Sequence, residues 1–466
     1  MADCSANRFV PQSEAALQDT SLQSALSHAQ SGFVQKRAQA IAMVEDFELL
    51  KFKAQAAKRN ALANLGGLLE QFEQQVIKSG GQVHWASNTD ELNSIVIELC
   101  REANAHRVIK GKSMIGEEAD LNSAMEAAGF EMIESDLGEY IIQLAKEPPS
   151  HIIAPAIHKT RQQVAELFKQ YHTLGDRGLE AISELVNEAR MVLREAFLTA
   201  DVGITGANLL VAENGSIAIV TNEGNGDLSA TLPRIHIVVT SIEKVVATMA
   251  DASDILEVLA RSATGQHMSA YTTFFNGPKR TDDADGPEQF HIVLLDNGRS
   301  DLLSGPFEPM LNCIKCGACL NHCPVYANVG GHAYGWVYPG PMGSVLTPLL
   351  QGLDAAKPLP NASTFCGRCE EVCPMGIPLP SMLRQLRVQQ HQQKLEPVLW
   401  RLGLSLYSWF STKPTWFRCC QVLLRGMLRI TPRRLWPGKR HPIKAAGSST
   451  FMKQWNQRDN RSGPSK

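Results

Sequence analysis

The chain has 466 residues, a formal net charge of −2, 44% hydrophobic residues and 20% charged residues. That length supports two to four domains with a large buried core, and the composition is ordinary for a soluble globular protein. A balance this close to neutral exerts no global pull toward nucleic acid, and no apolar run reaches the roughly 18 residues a membrane-spanning helix needs. Met1 to Val10 carry no basic-then-apolar signal, so the eleven cysteines are expected to be reduced thiols in a cytoplasmic setting.

In chain order, residues 1–31 are polar and rich in Gln, Ser and Ala, and are expected to form a loose arm. From about Gly32 to Lys78 the Ala, Leu, Glu, Gln and Lys content predicts helix, closed by Gly80-Gly81. Gln82 to Ala86 reads as a strand, and Thr89-Asp90-Glu91-Leu92 opens a helix toward Ala105. Arg107 to Lys110 is a second strand, Leu121 to Ala128 a helix, and Glu131 to Ile133 extended. This alternation predicts an α/β domain with a largely parallel sheet. Short β-branched runs follow at Leu209–Glu213, Ser216–Val220 and His236–Val239, then a helix over Ile242–Ala250 and a strand over Phe290–Leu295. Asp282 to Pro287 is an exposed turn, and Gly298 to Pro309 a linker.

Beyond the linker the cysteines cluster. Cys313, Cys316, Cys319 and Cys323 form C-x2-C-x2-C-x3-C before Pro324, and Cys366, Cys369 and Cys373 form C-x2-C-x3-C before Pro374. Thiolates are the soft, anionic ligands that iron in a cubane cluster takes, and the cysteine before proline serves the other cluster in two-cluster ferredoxins. On that logic Cys313, Cys316, Cys319 and Cys373 hold cluster one, while Cys323, Cys366 and Cys369 hold cluster two. The register places Ser363 where an eighth cysteine would stand. Three completions are open for cluster two: Ser363 or another oxygen donor, an exchangeable corner taken by water or substrate, or a three-iron cluster. Two 4Fe–4S clusters are the favoured reading. Zinc is disfavoured, because its paired C-x2-C knuckles sit farther apart. The 42 residues from Pro324 to Phe365 exceed a compact bacterial ferredoxin's insert and suit a helical ferredoxin module. His332, in that insert, is a candidate ligand or proton carrier, with a loop histidine bonded to backbone as the plainer alternative.

Several α/β segments carry a resemblance. Lys110–Glu118, Ala200–Ala207, Ala212–Ser216, Thr221–Gly226 and Leu232–His236 resemble the LUD (lactate-utilization) domain. Followed by seven clustered cysteines, the order is similar to that of the lactate-utilization protein B family, over roughly residues 30–400. The resemblance implies an open sheet related to ribose-phosphate isomerases and CoA transferases. It also implies a role as iron–sulfur subunit of a multi-protein system oxidising L-lactate to pyruvate, not active alone. Its partners would be a cysteine-rich subunit and a shorter LUD-domain subunit. No G-x-G-x-x-G dinucleotide fingerprint is present.

Ligands of open α/β sheets bind at the carboxyl ends of strands. Gly203, Gly206, Gly215, Gly224 and Gly226 fall at strand ends, and Glu213, Glu223 and His236 are the candidate catalytic residues. Lys110, Lys112 and Arg234 are candidates to meet a carboxylate. The plainer alternative makes the glycines tight turns and the charges caps or bridges.

From Pro397 to Arg458 there are twelve Lys or Arg and no Asp or Glu, with Trp400, Trp409, Trp416, Trp436 and Trp455 among them. A docking helix for a partner or for the chain's own core is the most ordinary role. An amphipathic contact with an anionic membrane, near quinone, is the second, and nucleic acid is the least favoured. Adjacent Cys419 and Cys420 suit no pair of cluster corners, and Cys4 and Cys100 are isolated.

The expected domains are thus the arm (1–31), a helical lead-in and LUD α/β domain (32–298), a mostly helical iron–sulfur module (299–396) and a basic helical extension (397–466). The expected function is electron relay through two clusters. The alternatives are a catalytic open iron corner on cluster two that binds the hydroxy acid, and a redox-sensing regulator.

Overall fold

The structure, a computed structural model, describes residues 4–430 and residue 455, and divides into two compact units, Met1–Gln390 and His391–Lys466. Among the described residues, the first unit contains ten strands: β1 (Gln82–Ala86), β2 (Arg107–Lys110), β3 (Glu131–Glu134), β4 (Val202–Thr205), β5 (Leu209–Val211), β6 (Ser216–Thr221), β7 (Ile235–Ser241), β8 (Val245–Val246), β9 (Tyr271–Phe275) and β10 (Gln289–Leu295).

Six of them form a parallel sheet in the order β1-β10-β7-β4-β2-β3. A parallel sheet needs crossover helices and is buried on both faces, so its strands read as continuous apolar runs. β7 follows this rule, with all seven residues buried. Leu92 and Val96 of the helix Thr89–Glu102 and Leu121 of the helix Leu121–Ala127 cover one face. Phe72 and Val76 of the helix Leu65–Lys78 pack with Val238 and Ile292 on the other.

The middle strands depart from the largely parallel pattern. β5 and β6 pair antiparallel and belong, with β8 and β9, to a second sheet in the order β8-β5-β6-β9. The helix expected over Ile242–Ala250 is instead a 3-10 turn at Ile242–Lys244 followed by β8. Val245 and Val246 are β-branched and pair with Leu210 and Val211. The helix begins later, at Met249–Ala263, where Thr248 and Asp251 form a capping box.

The loose arm expected over residues 1–31 is helical, at Phe9–Ala16 and Thr20–Ala42. Asp19 caps the second of these by accepting from the N–H groups of Ser21 and Leu22 at 2.9 and 3.0 Å. Ala6 and Phe9 are buried, and the Phe9 ring meets that of Tyr334 edge-on at 5.1 Å. A polar composition concealed a few apolar contacts that dock these helices on the cysteine segment.

That segment is built from short helices at Ala318–Asn321, Tyr326–Val329 and Arg368–Glu371, with longer ones at Gly340–Gln351 and Leu379–Gln392. It shares one core with the second sheet, in which Val211, Val258, Phe307, Leu320 and Leu383 are buried together. The expected linker Gly298–Pro309 is not loose, because Arg299 within it is 1% exposed.

In the second unit, helices run over Val398–Ser411 and Pro414–Ile430, with Trp409, Phe410 and Trp416 in mutual ring contact. The side chains of Leu424, Arg425, Met427, Leu428, Arg429 and Ile430, and the whole of Trp436, lie outside the described residues. Among the described residues no helix is long and apolar enough to cross a membrane.

Candidate metal centre and adjoining cavity

The two cysteine runs are folded as an internal repeat. Gly317 and Gly367 have φ of 72° and 79°, and each opens a four-residue helix, Ala318–Asn321 and Arg368–Glu371. The preceding Lys315 and Phe365 hold φ of 58° and 54°, a left-handed conformation uncommon outside glycine. Backbone strain repeated at equivalent positions of two metal-type loops points to a ligand cradle that overrides local preference.

The repeat brings the cysteines into two groups across the runs. Cys313, Cys316 and Cys319 line one pocket together with Cys373 from the second run. Burial pushes the Cys316 thiol up to about 12, and neighbouring Cys373 and Cys313 add to it. Cys323 faces Cys369 and Cys366 instead: the Cys369 thiol is pushed up to about 12 by burial, then by Cys323 and Cys366. Packed thiols that oppose one another's ionisation suit a cationic iron core that neutralises them. Backbone N–H groups point at the sulfurs as well, from Ala318 to Cys316, from Arg368 to Cys366 and from Ile377 to Cys373. The donor set therefore fits iron–sulfur clusters. The groups differ in access, since Cys316 is buried and Cys366 is exposed.

Ser363 occupies the repeat position of Cys313. Its Oγ accepts from the N–H of Phe365 at 3.1 Å, the same two-residue reach by which the Cys316 and Cys366 sulfurs accept from Ala318 and Arg368. The neighbouring Thr364 hydroxyl donates to Cys366 and helps hold that thiol below its ordinary value, after the Arg368 N–H. His332 lies apart from both groups. Its Nε2 donates to the Pro148 carbonyl at 2.8 Å, and its ring stands edge-on to His158 at 4.5 Å.

A cavity of about 250 Å³ opens beyond the carboxyl ends of β2, β3, β4 and β7 and reaches Cys313 and Lys315. Of the residues expected there, Lys112, Glu223, Gly206 and Gly226 line it. Desolvation raises the Glu223 carboxyl, and nearby Asp136 adds to the shift, although the side chain stands at the exposed rim.

The other expected site residues are elsewhere. His236 is fully buried and does not line the cavity; it is bonded through Nε2 to the hydroxyl of Thr205, which does, at 2.7 Å, and is flanked by Phe275 and Phe290. Burial holds it down to about 3, so it is a neutral core histidine. Glu213 is exposed and accepts from the Met249 N–H at the start of a helix. Lys110 is buried between Glu117 at 2.9 Å and Glu134 at 2.8 Å. Arg234 donates to the Ala103 carbonyl at the surface. Gly203 serves packing, since a Cβ there would meet the Ser229 carbonyl at 1.7 Å.

Sequence reasoning missed Lys58, Lys244 and Lys315, which also line the cavity. It missed the ion network beside them, in which Arg299 pairs with Glu118 at 2.7 Å and Glu243 at 3.1 Å. Burial alone raises the Glu243 carboxyl, but Arg299, Lys315 and Lys244 reverse this and bring it to about 2. Lys58, Lys244, Glu243 and Arg299 carry no spacing signal, while Glu118 ends the Lys110–Glu118 motif and Lys315 sits between two clustered cysteines; only the fold collects them.

An α/β domain with a cationic cavity at its strand ends, fused to a double cysteine cradle, defines the class. Residues 69–295 match the LUD domain and residues 309–377 the 4Fe–4S dicluster domain. Relatives narrow this further. The chain is 42% identical to "Lactate utilization protein B" of Lysinibacillus sphaericus (strain C3-41), over 88% of this chain and 87% of that protein. It is 43% identical to the protein of that name from Geobacillus sp. (strain WCH70), over 84% of each, and 44% identical to that of Anoxybacillus flavithermus (strain DSM 21510 / WK1), over 80% and 79%. The chain belongs to the lactate utilization protein B family.

Proposed function

We propose that this protein is the iron–sulfur electron-transfer member of a multi-protein system that oxidises L-lactate to pyruvate, acting with a cysteine-rich subunit and a shorter LUD-domain subunit. The convergence of seven cysteines into two crossed groups carries the reading, and the lactate utilization named in its relatives supports the substrate. Cys313, Cys316, Cys319 and Cys373 hold one 4Fe–4S cluster. Cys323, Cys366 and Cys369 hold the second, with the Ser363 hydroxyl at its fourth corner. When bound, such clusters supply one-electron exchange between a two-electron donor and the acceptor.

The chain's own residues set the direction. The first group adjoins the lysine cavity, while the second includes exposed Cys366, the natural point of exchange with a partner. Arg37 reaches in from the helix Thr20–Ala42, bonds the Val372 carbonyl at 2.9 Å and adds positive charge near Cys316 and Cys373. In the second unit, Leu399, Trp400, Leu402, Leu406 and Tyr407 are exposed on a segment without acidic residues, which supports a peripheral contact with an anionic membrane.

EPR with iron counting on anaerobically purified protein, before and after L-lactate with the two partner subunits, tests the relay. Lactate-dependent reduction only in the presence of the partners is expected. A protein that binds zinc and no iron would end the reading. Co-sedimentation with vesicles containing anionic lipid, lost on truncation after Glu396, checks the membrane contact.

A further inference from the structure

The cavity beside Cys313 is rich in lysine, and Glu243, next to Lys58, Lys244 and Lys315, balances part of that charge. Lys58, Lys112, Lys244 and Lys315 line it, against Asp136 and Glu223. Asp136 is already engaged, accepting from the N–H groups of Gly138 and Glu139 at the start of the helix Leu137–Ala145. An ammonium has three donors. Lys244 gives one to the Ala207 carbonyl at 2.6 Å and Lys58 one to the Glu243 carbonyl, so each retains donors beyond its bond to the backbone. Lys112 Nζ is buried with no hydrogen-bond partner among the described residues, and Glu139 Oε1 stands 4.0 Å away. That ion pair is at the limit of contact, and the ammonium still lacks a hydrogen-bond acceptor, which a bound anion would supply.

Size and lining narrow the anion. About 250 Å³ falls below the range usual for drug-sized ligands, so the space suits a molecule of few carbons rather than a nucleotide. Apolar Ile153, Leu259 and Ala263 line it together with the lysines. A lining that is part aliphatic and part ammonium fits a short carboxylate better than inorganic phosphate, which has no apolar part. We propose that this cavity is a binding site for a small 2-hydroxy or 2-oxo carboxylate, with Lys112 as its principal anchor and Lys58, Lys244 and Lys315 completing the cationic wall. The site deepens the electron-transfer reading, and it rests on that reading for the meaning of its position: the segment Cys313–Lys315 borders both this cavity and the first cysteine pocket.

The test is calorimetric titration of the anaerobically purified, iron-counted protein with L-lactate, pyruvate and inorganic phosphate in turn, with EPR of the reduced protein recorded at each end point. Lactate or pyruvate is expected to bind and to alter one of the two cluster signals. Lys112→Ala should weaken binding by about tenfold or more, the scale of a lost charge-assisted hydrogen bond, and Lys112→Arg should restore most of it. Lys315→Asn, whose side chain tolerates the left-handed backbone, should also weaken binding and gives a second variant if the first folds poorly. Full iron content with no binding of either carboxylate would overturn the site. So would equal binding by the wild type and Lys112→Ala, or binding of phosphate alone. Carboxylate binding to a protein that holds no iron would uphold the site and overturn the cluster reading, so the two fail separately.

Discussion

Arg299 and Glu118 lie 181 residues apart and meet through two hydrogen bonds, Nη1 to Oε1 at 2.9 Å and Nη2 to Oε2 at 2.7 Å, both side chains sealed from water. Tyr338 donates to the same carboxylate at 2.7 Å, and Arg299 Nε pairs with Glu243. One carboxylate of the LUD domain thereby holds the segment that enters the cysteine module and a tyrosine from within it. Removing one partner of a buried pair leaves the other charge stranded.

Glu118→Ala is therefore expected to lower unfolding stability by about 3–5 kcal/mol, and to lower retained iron as the module loosens. Tyr338→Phe, which removes a single bond to the carboxylate, should cost about 1–3 kcal/mol. Chemical denaturation with iron counting on the same samples checks both. A Glu118→Ala protein within about 1 kcal/mol of wild type would show that the pair does not hold the two parts together.

The crossed cysteine groups predict which variants behave alike. Cys373→Ala should remove the same EPR signal as Cys316→Ala, although the two residues lie in different runs. Cys323→Ala should match Cys369→Ala. Each change should release up to one cluster's iron and leave the other signal in place. If Cys373→Ala grouped with Cys366→Ala, ligation would follow the runs and the packing argument would fail.

His236 gives a pH dependence. Its folded value is about 3, while an unfolded histidine titrates near 6.5, so between those values the unfolded chain binds the extra proton. Stability contributed by neutral His236 is complete above about pH 6.5 and declines as pH falls toward 3. Denaturation midpoints at pH 7.5 and 5.5 should differ more for the wild type than for His236→Gln, which keeps a hydrogen bond to Thr205 without the ionisation. Equal acid slopes in the two proteins would place the sensitive group elsewhere.

The seven cysteines and the parallel sheet could be read from sequence because both are local patterns: fixed ligand spacing in one case, alternating strand and helix in the other. The LUD resemblance came from short motifs, and residues 69–295 match that domain. The second sheet was hidden, because β5 and β6 look like any buried strands and only pairing separates them from the main sheet. The N-terminal helices were hidden because much of their apolar content is alanine among Gln and Ser, and the contacts that hold them are distant in sequence, such as Phe33 on His151 and Gln23 on the Asn328 carbonyl. The cavity was half legible. Lys112 and Glu223 sit in motifs at strand ends, but Lys58 and Lys244 arrive from a helix and a turn that announce nothing, and Arg234 and His236 share a motif without reaching the space.

Ser363 offers the sharpest test of the second cluster. It keeps the backbone of a ligand loop, with strained Phe365 two residues on and Gly367 opening the next helix, where Lys315 and Gly317 follow Cys313. A hydroxyl is a harder donor than a thiolate and is easier to displace from iron. Ser363→Cys is therefore expected to fold without strain, to keep full iron and to yield a cluster more resistant to loss of its fourth iron on oxidation. Ser363→Ala should instead raise the three-iron signal of the air-exposed protein, with no change in the signal assigned to Cys313, Cys316, Cys319 and Cys373. EPR before and after brief oxidation, alongside iron counting, distinguishes these outcomes. Identical spectra for wild type, Ser363→Ala and Ser363→Cys would show that the loop preserves its shape without using its side chain, and that the fourth corner is completed from solvent or a partner.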